Sequence, residues 1–218
     1  MTNPVLEKDS PPSTATSKKR LLIIIAGVVV VIVLAILAAL YGPRLLGFQE
    51  PTQGNPVNSP AVAKPAGFTE FRNDKVGFTL SYPSSWTKLP TQDPQVLLLA
   101  ANGPQDSFLV RAVELPMQIG QQEIPAAKQL TDQIVGANKT AKMLVPPKQI
   151  ELGGLPGYWY FYSFKDETNG QQGAHSHFFL FKGNTMLTFV FQSLPIEKFQ
   201  ASAPTFDQIT ASFRVLPK

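Results

Sequence analysis

The sequence predicts an α+β fold, an antiparallel sheet with helices packed on its faces, preceded by one transmembrane helix. Three observations carry that prediction. Segments with a period of two, separated by turn residues, recur along residues 67–218, the mark of half-buried strands joined as hairpins. Two segments with helical spacing, around 125–137 and 203–213, interrupt them. Leu21–Tyr41, LLIIIAGVVVVIVLAILAALY, is uncharged from end to end, and at ~1.5 Å per residue a helix of that length crosses a ~30 Å hydrocarbon core. The order strands, helix, hairpin strands, helix belongs to an antiparallel sheet rather than to alternating parallel units.

Ahead of the span, residues 1–20 are rich in Pro, Ser and Thr without apolar periodicity and are expected to be a disordered cytoplasmic tail. They end in Lys18-Lys19-Arg20, whereas the first positive residue beyond the span is Arg44. That asymmetry places the N-terminus in the cytoplasm and the C-terminal domain outside the cell membrane, a single-pass topology. A cleaved signal peptide would have a shorter apolar region followed by small residues, and this one runs into Leu40-Tyr41. Residues 42–66 carry Pro at 43, 51, 56, 60 and 65. They read as a semi-stiff linker that lifts the domain, residues 67–218, off the bilayer.

Charge and cysteine usage exclude several function classes. The sequence pI is 9.3, yet residues 67–218 hold 13 Lys+Arg against 12 Asp+Glu, so the basicity belongs to the tail and flanks. No basic cluster marks a nucleic-acid surface, and no nucleic acid is expected as a partner. The chain contains no cysteine, which removes disulfides, thiolate nucleophiles, zinc-thiolate sites and a lipidated N-terminal Cys.

Within the domain, Phe68–Asn73 forms a short extended run before a polar turn at Asp74-Lys75. Phe78, Leu80 and Tyr82 alternate with Thr79 and Ser81, a half-buried strand that Pro83 ends. Strands follow at 95–100 and 107–115 around the turn Asn102-Gly103-Pro104. Over 125–137, Ala127, Leu130 and Ile134 share one helical face behind Pro125, which the first turn tolerates. Strands resume at 144–152, 157–165, 174–182 and 185–192, with Thr168-Asn169-Gly170 and Gly183-Asn184 as hairpin turns. A closing helix over 203–213, capped by Ser202, aligns Phe206, Ile209 and Phe213, and Arg214–Leu216 adds a last extended segment.

Chemistry-bearing residues are few. His175 and His177 stand two apart on a predicted strand, so both rings point to one face. Such a pair either shares a metal, with Asp166 or Glu167 as the nearest carboxylate, or is a pair of outward polar residues on a hairpin. No G-x-S-x-G elbow precedes a helix, and Gly153-Gly154-Leu155-Pro156-Gly157 leads into a strand, opposite to the order that phosphate cradling requires. The run Tyr158–Phe164 sends Tyr158, Tyr160, Tyr162 and Phe164 to one face, with Trp159 and Phe161 on the other. It is either a central strand covered on both faces or one wall of an apolar groove, with tyrosine hydroxyls at its rim orienting a lipid. His175, His177, Tyr158, Tyr160 and Tyr162 are therefore the candidate ligand or partner surface. No catalytic residue, cofactor or metal is assigned.

Val76-Gly77-Phe78-Thr79-Leu80-Ser81-Tyr82-Pro83-Ser84-Ser85-Trp86 resembles the opening motif of PsbP-like domains. Phe206 to Val215, with its Ile-x-x-Ser-Phe at Ile209–Phe213, resembles their terminal helix, and the order of elements between the two is similar. The resemblance covers residues 67–218. It implies an α/β/α sandwich with a central antiparallel sheet, and a non-enzymatic role like that of the photosystem II subunit, the Ran-binding Mog proteins and mycobacterial envelope lipoproteins. The expected function is a membrane-anchored extracytoplasmic binding or assembly factor for a cell-envelope complex. Its expected partners are the membrane, an envelope protein and, in the alternative reading of a carrier or sensor of a small hydrophobic ligand, a lipid.

Overall fold

The computed structural model describes residues 65–217. The expected tail, span and nearly all of the linker lie outside the described residues, and among those described no helix is long and apolar enough to cross a membrane.

The predicted alternation over Phe68–Asn73 and Phe78–Pro83 forms a hairpin of antiparallel strands β1 and β2. Gly77 closes its turn at φ +78°, donating its N–H to the Asn73 carbonyl at 2.8 Å, a conformation that costs any residue with a Cβ. The free edge of β2 receives the last strand of the chain, β9, Arg214–Val215. The result is a three-stranded sheet in the order β1-β2-β9.

The second sheet has six strands in the order β3-β4-β5-β8-β7-β6. They are β3 Thr87–Lys88, β4 Val96–Asn102, β5 Asp106–Ile119, β6 Lys142–Leu152, β7 Leu155–Lys165 and β8 Gln172–Ser193. Every pairing in it is antiparallel. The 22 residues of β8 hold both strands predicted at 174–182 and 185–192. His175 Nε2 and Gln192 Oε1 lie 2.9 Å apart, although 17 extended residues would separate them by ~55 Å. The strand therefore folds back on itself, and Gly183, at φ +60°, supplies the turn. One arm pairs with β7 and the other with β5. β6 takes the edge position, where Pro146 and Pro147 interrupt the ladder least.

Helix α1, Ile124–Gly136, covers one face of the six-stranded sheet. Its buried residues are Ile124, Ala127, Leu130, Thr131 and Val135. Val135 takes the inward place expected of Ile134, because the helix starts at Ile124 and its seam turns slightly further round. Helix α2, Phe199–Ala211, covers the opposite face together with the small sheet. It begins before the expected position because a 3₁₀ turn, Ile196–Lys198, runs straight into it. Lys198, not Ser202, is the N-cap, and Pro204 sits inside the helix. Phe213 lies just past the C-cap rather than on the helical face, and there its ring stays fully buried between Phe78 and Phe189.

The main core lies between the six-stranded sheet, the small sheet and α2. Phe78, Leu80, Phe108, Phe189, Phe191 and Phe213 are almost completely buried there, each worth about 1.5–3 kcal/mol of transfer free energy. Residues from the two ends of the domain meet in it. Ser212 Oγ accepts the Ser81 N–H at 2.7 Å and lies 2.6 Å from the Ile209 carbonyl, so the hydroxyl links α2 to β2 across 131 residues. The two motifs that resemble PsbP-like domains are thus halves of one packing unit. At the far end of the hairpin, Lys182 Nζ donates to the Val76 and Gly77 carbonyls, tying the β8 turn to the β1–β2 turn.

Candidate functional site

Strand β7 separates two environments. Tyr158, Tyr160 and Tyr162 face α1 and are buried, so their hydroxyls do not stand at a groove rim. Tyr158 Oη donates to the Ile124 carbonyl at 3.1 Å. Tyr160 Oη donates to Asp132 Oδ1 at 2.7 Å and lies 2.6 Å from Thr131 Oγ1. Lys128 Nζ completes the group, 2.7 Å from Asp132. These hydroxyls fasten the helix to the sheet. Burial pushes the Tyr160 phenol well above its ordinary range, and its hydrogen bond to Asp132 adds to the rise, while that to Thr131 opposes it.

The two histidines also turn inward, which corrects the reading of outward polar residues. His177 is 7 % exposed and stacks on Phe179 at 4.0 Å, and His175 stacks on Phe164 at 4.1 Å. Tyr162 Oη lies between them, 3.2 Å from His175 Nδ1 and 3.1 Å from His177 Nδ1. With Gln192 Oε1 accepting from His175 Nε2, each proton in the chain has one place. His175 Nδ1 is bare and accepts from Tyr162, whose oxygen accepts from His177 Nδ1–H. His177 Nε2 is then left as a bare nitrogen, and it has no partner among the described residues. Burial holds His175 down to about 4, and burial followed by the neighbouring His175 holds His177 well below the usual imidazole range. Both rings are neutral at pH 7.

Asp166, the carboxylate nearest in sequence, is engaged by its own loop, accepting from Thr168 N at 2.9 Å, from the Thr168 hydroxyl and from Asn169 N at 3.1 Å. Among the described residues no group of three or more His, Asp or Glu side chains converges on a metal position.

On the other face of β7 the packing against α2 leaves a recess of about 140 Å³. Trp159, Phe178, Phe191, Phe199 and Phe206 wall it, with Ser176, Asp207 and Thr210 as its polar groups. Trp159 Nε1 donates to Ser176 Oγ at 2.8 Å. This hollow lies on the tryptophan side of the strand, away from the tyrosine hydroxyls. Phe199 and Asp207 were not singled out from sequence. The one available signal was a carboxylate directly after Phe206 on an apolar helical face.

A wider, open groove of about 660 Å³ runs along the β8 turn and shares no residue with the recess. Val76, Leu97 and Ala112 give it apolar walls, and Lys75, Gln95, Glu114 and Gln118 give it polar ones. Gln95 is held by Arg111, whose Nη2 donates to its Oε1 at 2.6 Å and also reaches Asp93 at 3.0 Å.

No protein-family model matches this chain, and no curated protein matches it in sequence. Solved structures do. The solution structure of cyanobacterial PsbP (CyanoP) from Synechocystis superposes with a TM-score of 0.53 at 15 % identity, covering 74 % of this chain and 99 % of that one. LpqN of Mycobacterium tuberculosis, described as involved in cell envelope biogenesis, gives 0.51 at 12 % identity over 69 % of this chain and 91 % of that one. The Ran-binding protein Mog1p of Saccharomyces cerevisiae gives 0.48 at 10 % identity, over 68 % and 95 %. On the likeness to CyanoP and LpqN, joined to the meeting of the opening and closing motifs at Ser81 and Ser212, the domain of this chain has the PsbP-like fold.

Proposed function

We propose that the chain is a membrane-anchored, extracytoplasmic, non-catalytic binding or assembly factor for a cell-envelope complex. The observation that carries this reading is the open groove by the β8 turn. Its open form and its mixed polar and apolar walls suit an extended stretch of a partner protein. The uncharged run Leu21–Tyr41 and the basic triplet before it support an anchor with the domain outside. The Pro-rich tether then keeps the groove at high effective concentration beside membrane partners, so that modest affinity suffices. The fold shared with LpqN, itself described as involved in cell envelope biogenesis, supports the same compartment.

A photo-crosslinking residue at Gln118, exposed on the groove, tests the reading in intact cells. It is expected to capture a membrane or envelope protein, while the same residue at exposed Lys165 captures none. Equal capture from both positions, or none from either, removes the groove as the partner site. A reporter fused after Lys218 is expected to be digested by protease added to spheroplasts. Protection of the reporter inverts the topology.

A further inference from the structure

We propose that the recess between α2 and the Trp159 face of β7 is a binding site for a small quaternary ammonium group of the trimethylammonium class. Size sets the first limit. At about 140 Å³ the recess matches a cavity of roughly 150 Å³ that admits benzene. It falls below the roughly 300–1,000 Å³ of sites for drug-sized ligands. A compact head group enters it and an acyl chain does not.

The walls set the second limit. Phe178 and Phe191 stand at 86°, Phe199 and Phe206 at 53°, Trp159 and Phe178 at 46°. The five residues with the largest side chains around the recess are thus aromatic and tilted against one another, and aromatic rings attract a cation. Trp159 already attracts one from its own chain, since Lys148 Nζ, which does not line the recess, lies 5.7 Å from the ring centroid.

Charge sets the third. Asp207 is the only charged group lining the recess among the described residues. It is exposed, and no ion pair or hydrogen bond to its carboxylate is made among the described residues. Ser176 Oγ accepts from the Trp159 indole, and the Thr210 hydroxyl donates to the Phe206 carbonyl at 2.8 Å. A primary ammonium brings three strongly hydrated N–H donors, and most of the recess wall is carbon that accepts none of them. A trimethylammonium group brings none, and needs only the π faces and one carboxylate.

Calorimetric titration of the full chain in a non-ionic detergent with choline, and with its neutral carbon isostere 3,3-dimethylbutan-1-ol, tests this. Choline is expected to bind saturably with a Kd on the order of 1 mM, and the isostere about tenfold more weakly. Asp207→Asn, a change at an exposed site, is expected to weaken choline about fivefold or more, and Trp159→Leu to abolish its binding while circular dichroism stays unchanged. Competition for bound choline by short-chain phosphatidylcholine against short-chain phosphatidylglycerol distinguishes the source of the group. Displacement by the former alone assigns it to a lipid head group, and choline binding with displacement by neither assigns it to a free solute. Absence of saturable choline binding, equal affinity for the neutral isostere, or an Asp207→Asn variant that binds like the parent each overturns the proposal. None of these outcomes bears on the groove by the β8 turn.

Discussion

The two faces of β7 are built from the same aromatic run and end in opposite states. On the tyrosine side every tyrosine hydroxyl finds a partner within the fold, from α1 or from the histidines, and His177 Nε2 alone among the buried side-chain polar atoms described is left over. On the tryptophan side α2 meets the sheet through phenylalanine rings that leave a hollow. The difference lies in what each helix brings. α1 offers Thr131, Asp132 and a backbone carbonyl at tyrosine height, and hydrogen bonds draw it close. α2 offers phenylalanine rings, which meet the sheet at tilted angles and bring no hydrogen-bonding group. The closed face leaves no space beside its side chains, and the open one leaves room for a ligand.

Adjacent phenylalanines on β8 give the strongest way to break that contrast. Phe179 is 0 % exposed under His177 on the closed face, and Phe178 is half-buried beside the recess. Phe179→Ala is expected to cost about 3–5 kcal/mol in urea unfolding, and Phe178→Ala about half of that or less. Equal losses would show that both faces are packed alike.

Acid attacks the closed face next. The His175 imidazole titrates near 6.5 when unfolded and at about 4 when folded. Its stabilising contribution is therefore complete above pH 6.5 and is lost as pH falls towards 4. At 1.36 kcal/mol per pH unit the loss is about 3 kcal/mol, and His177, held low in the same way, adds to it at the acid end. Equilibrium unfolding at pH 7, 5.5 and 4 measures the drop. The His175→Phe variant, which keeps a ring on Phe164, is expected to lose less over the same interval, and an unchanged drop would assign it to other groups.

Smaller effects sharpen the contrast. Tyr160→Phe removes the hydroxyl that holds Asp132 and Thr131 and is expected to cost about 1–2 kcal/mol, with faster hydrogen exchange confined to α1. Asp207→Asn at the mouth of the recess is expected to change stability by less than about 0.5 kcal/mol, because the carboxylate holds nothing in the fold. A larger loss would make Asp207 a structural residue.

Much of the architecture was legible because local patterns suffice for it. The period-two segments gave nearly every strand, including both arms of β8, and the Gly183-Asn184 turn between those arms. Pro125 and the spacing of Ala127 and Leu130 gave α1. The opening and closing motifs gave the fold type. The two-residue strand β3 and the early start of α2 escaped, the first because its pattern is too short to show, the second because a 3₁₀ turn carries no periodicity. The candidate residues were harder. Alternation put Tyr158, Tyr160 and Tyr162 on one face of their strand and His175 and His177 on one face of theirs, yet it names a face without saying what lies over it.

The sequence by itself determined which residues are strand, helix or turn, which side chains share a face, and that an uncharged apolar run precedes a charge-balanced domain. These follow from periods, turn residues and charge counts confined to short stretches of chain. Tertiary structure alone decided that α1 would satisfy the tyrosines, that Tyr162 and Gln192 would dictate the proton positions on two histidines, and that five rings from β7, both arms of β8 and α2 would enclose a hollow beside Asp207. Those outcomes depend on side chains up to about 50 residues apart meeting at ångström distances, and hydrogen bonds and ring contacts decay over lengths that no local pattern encodes.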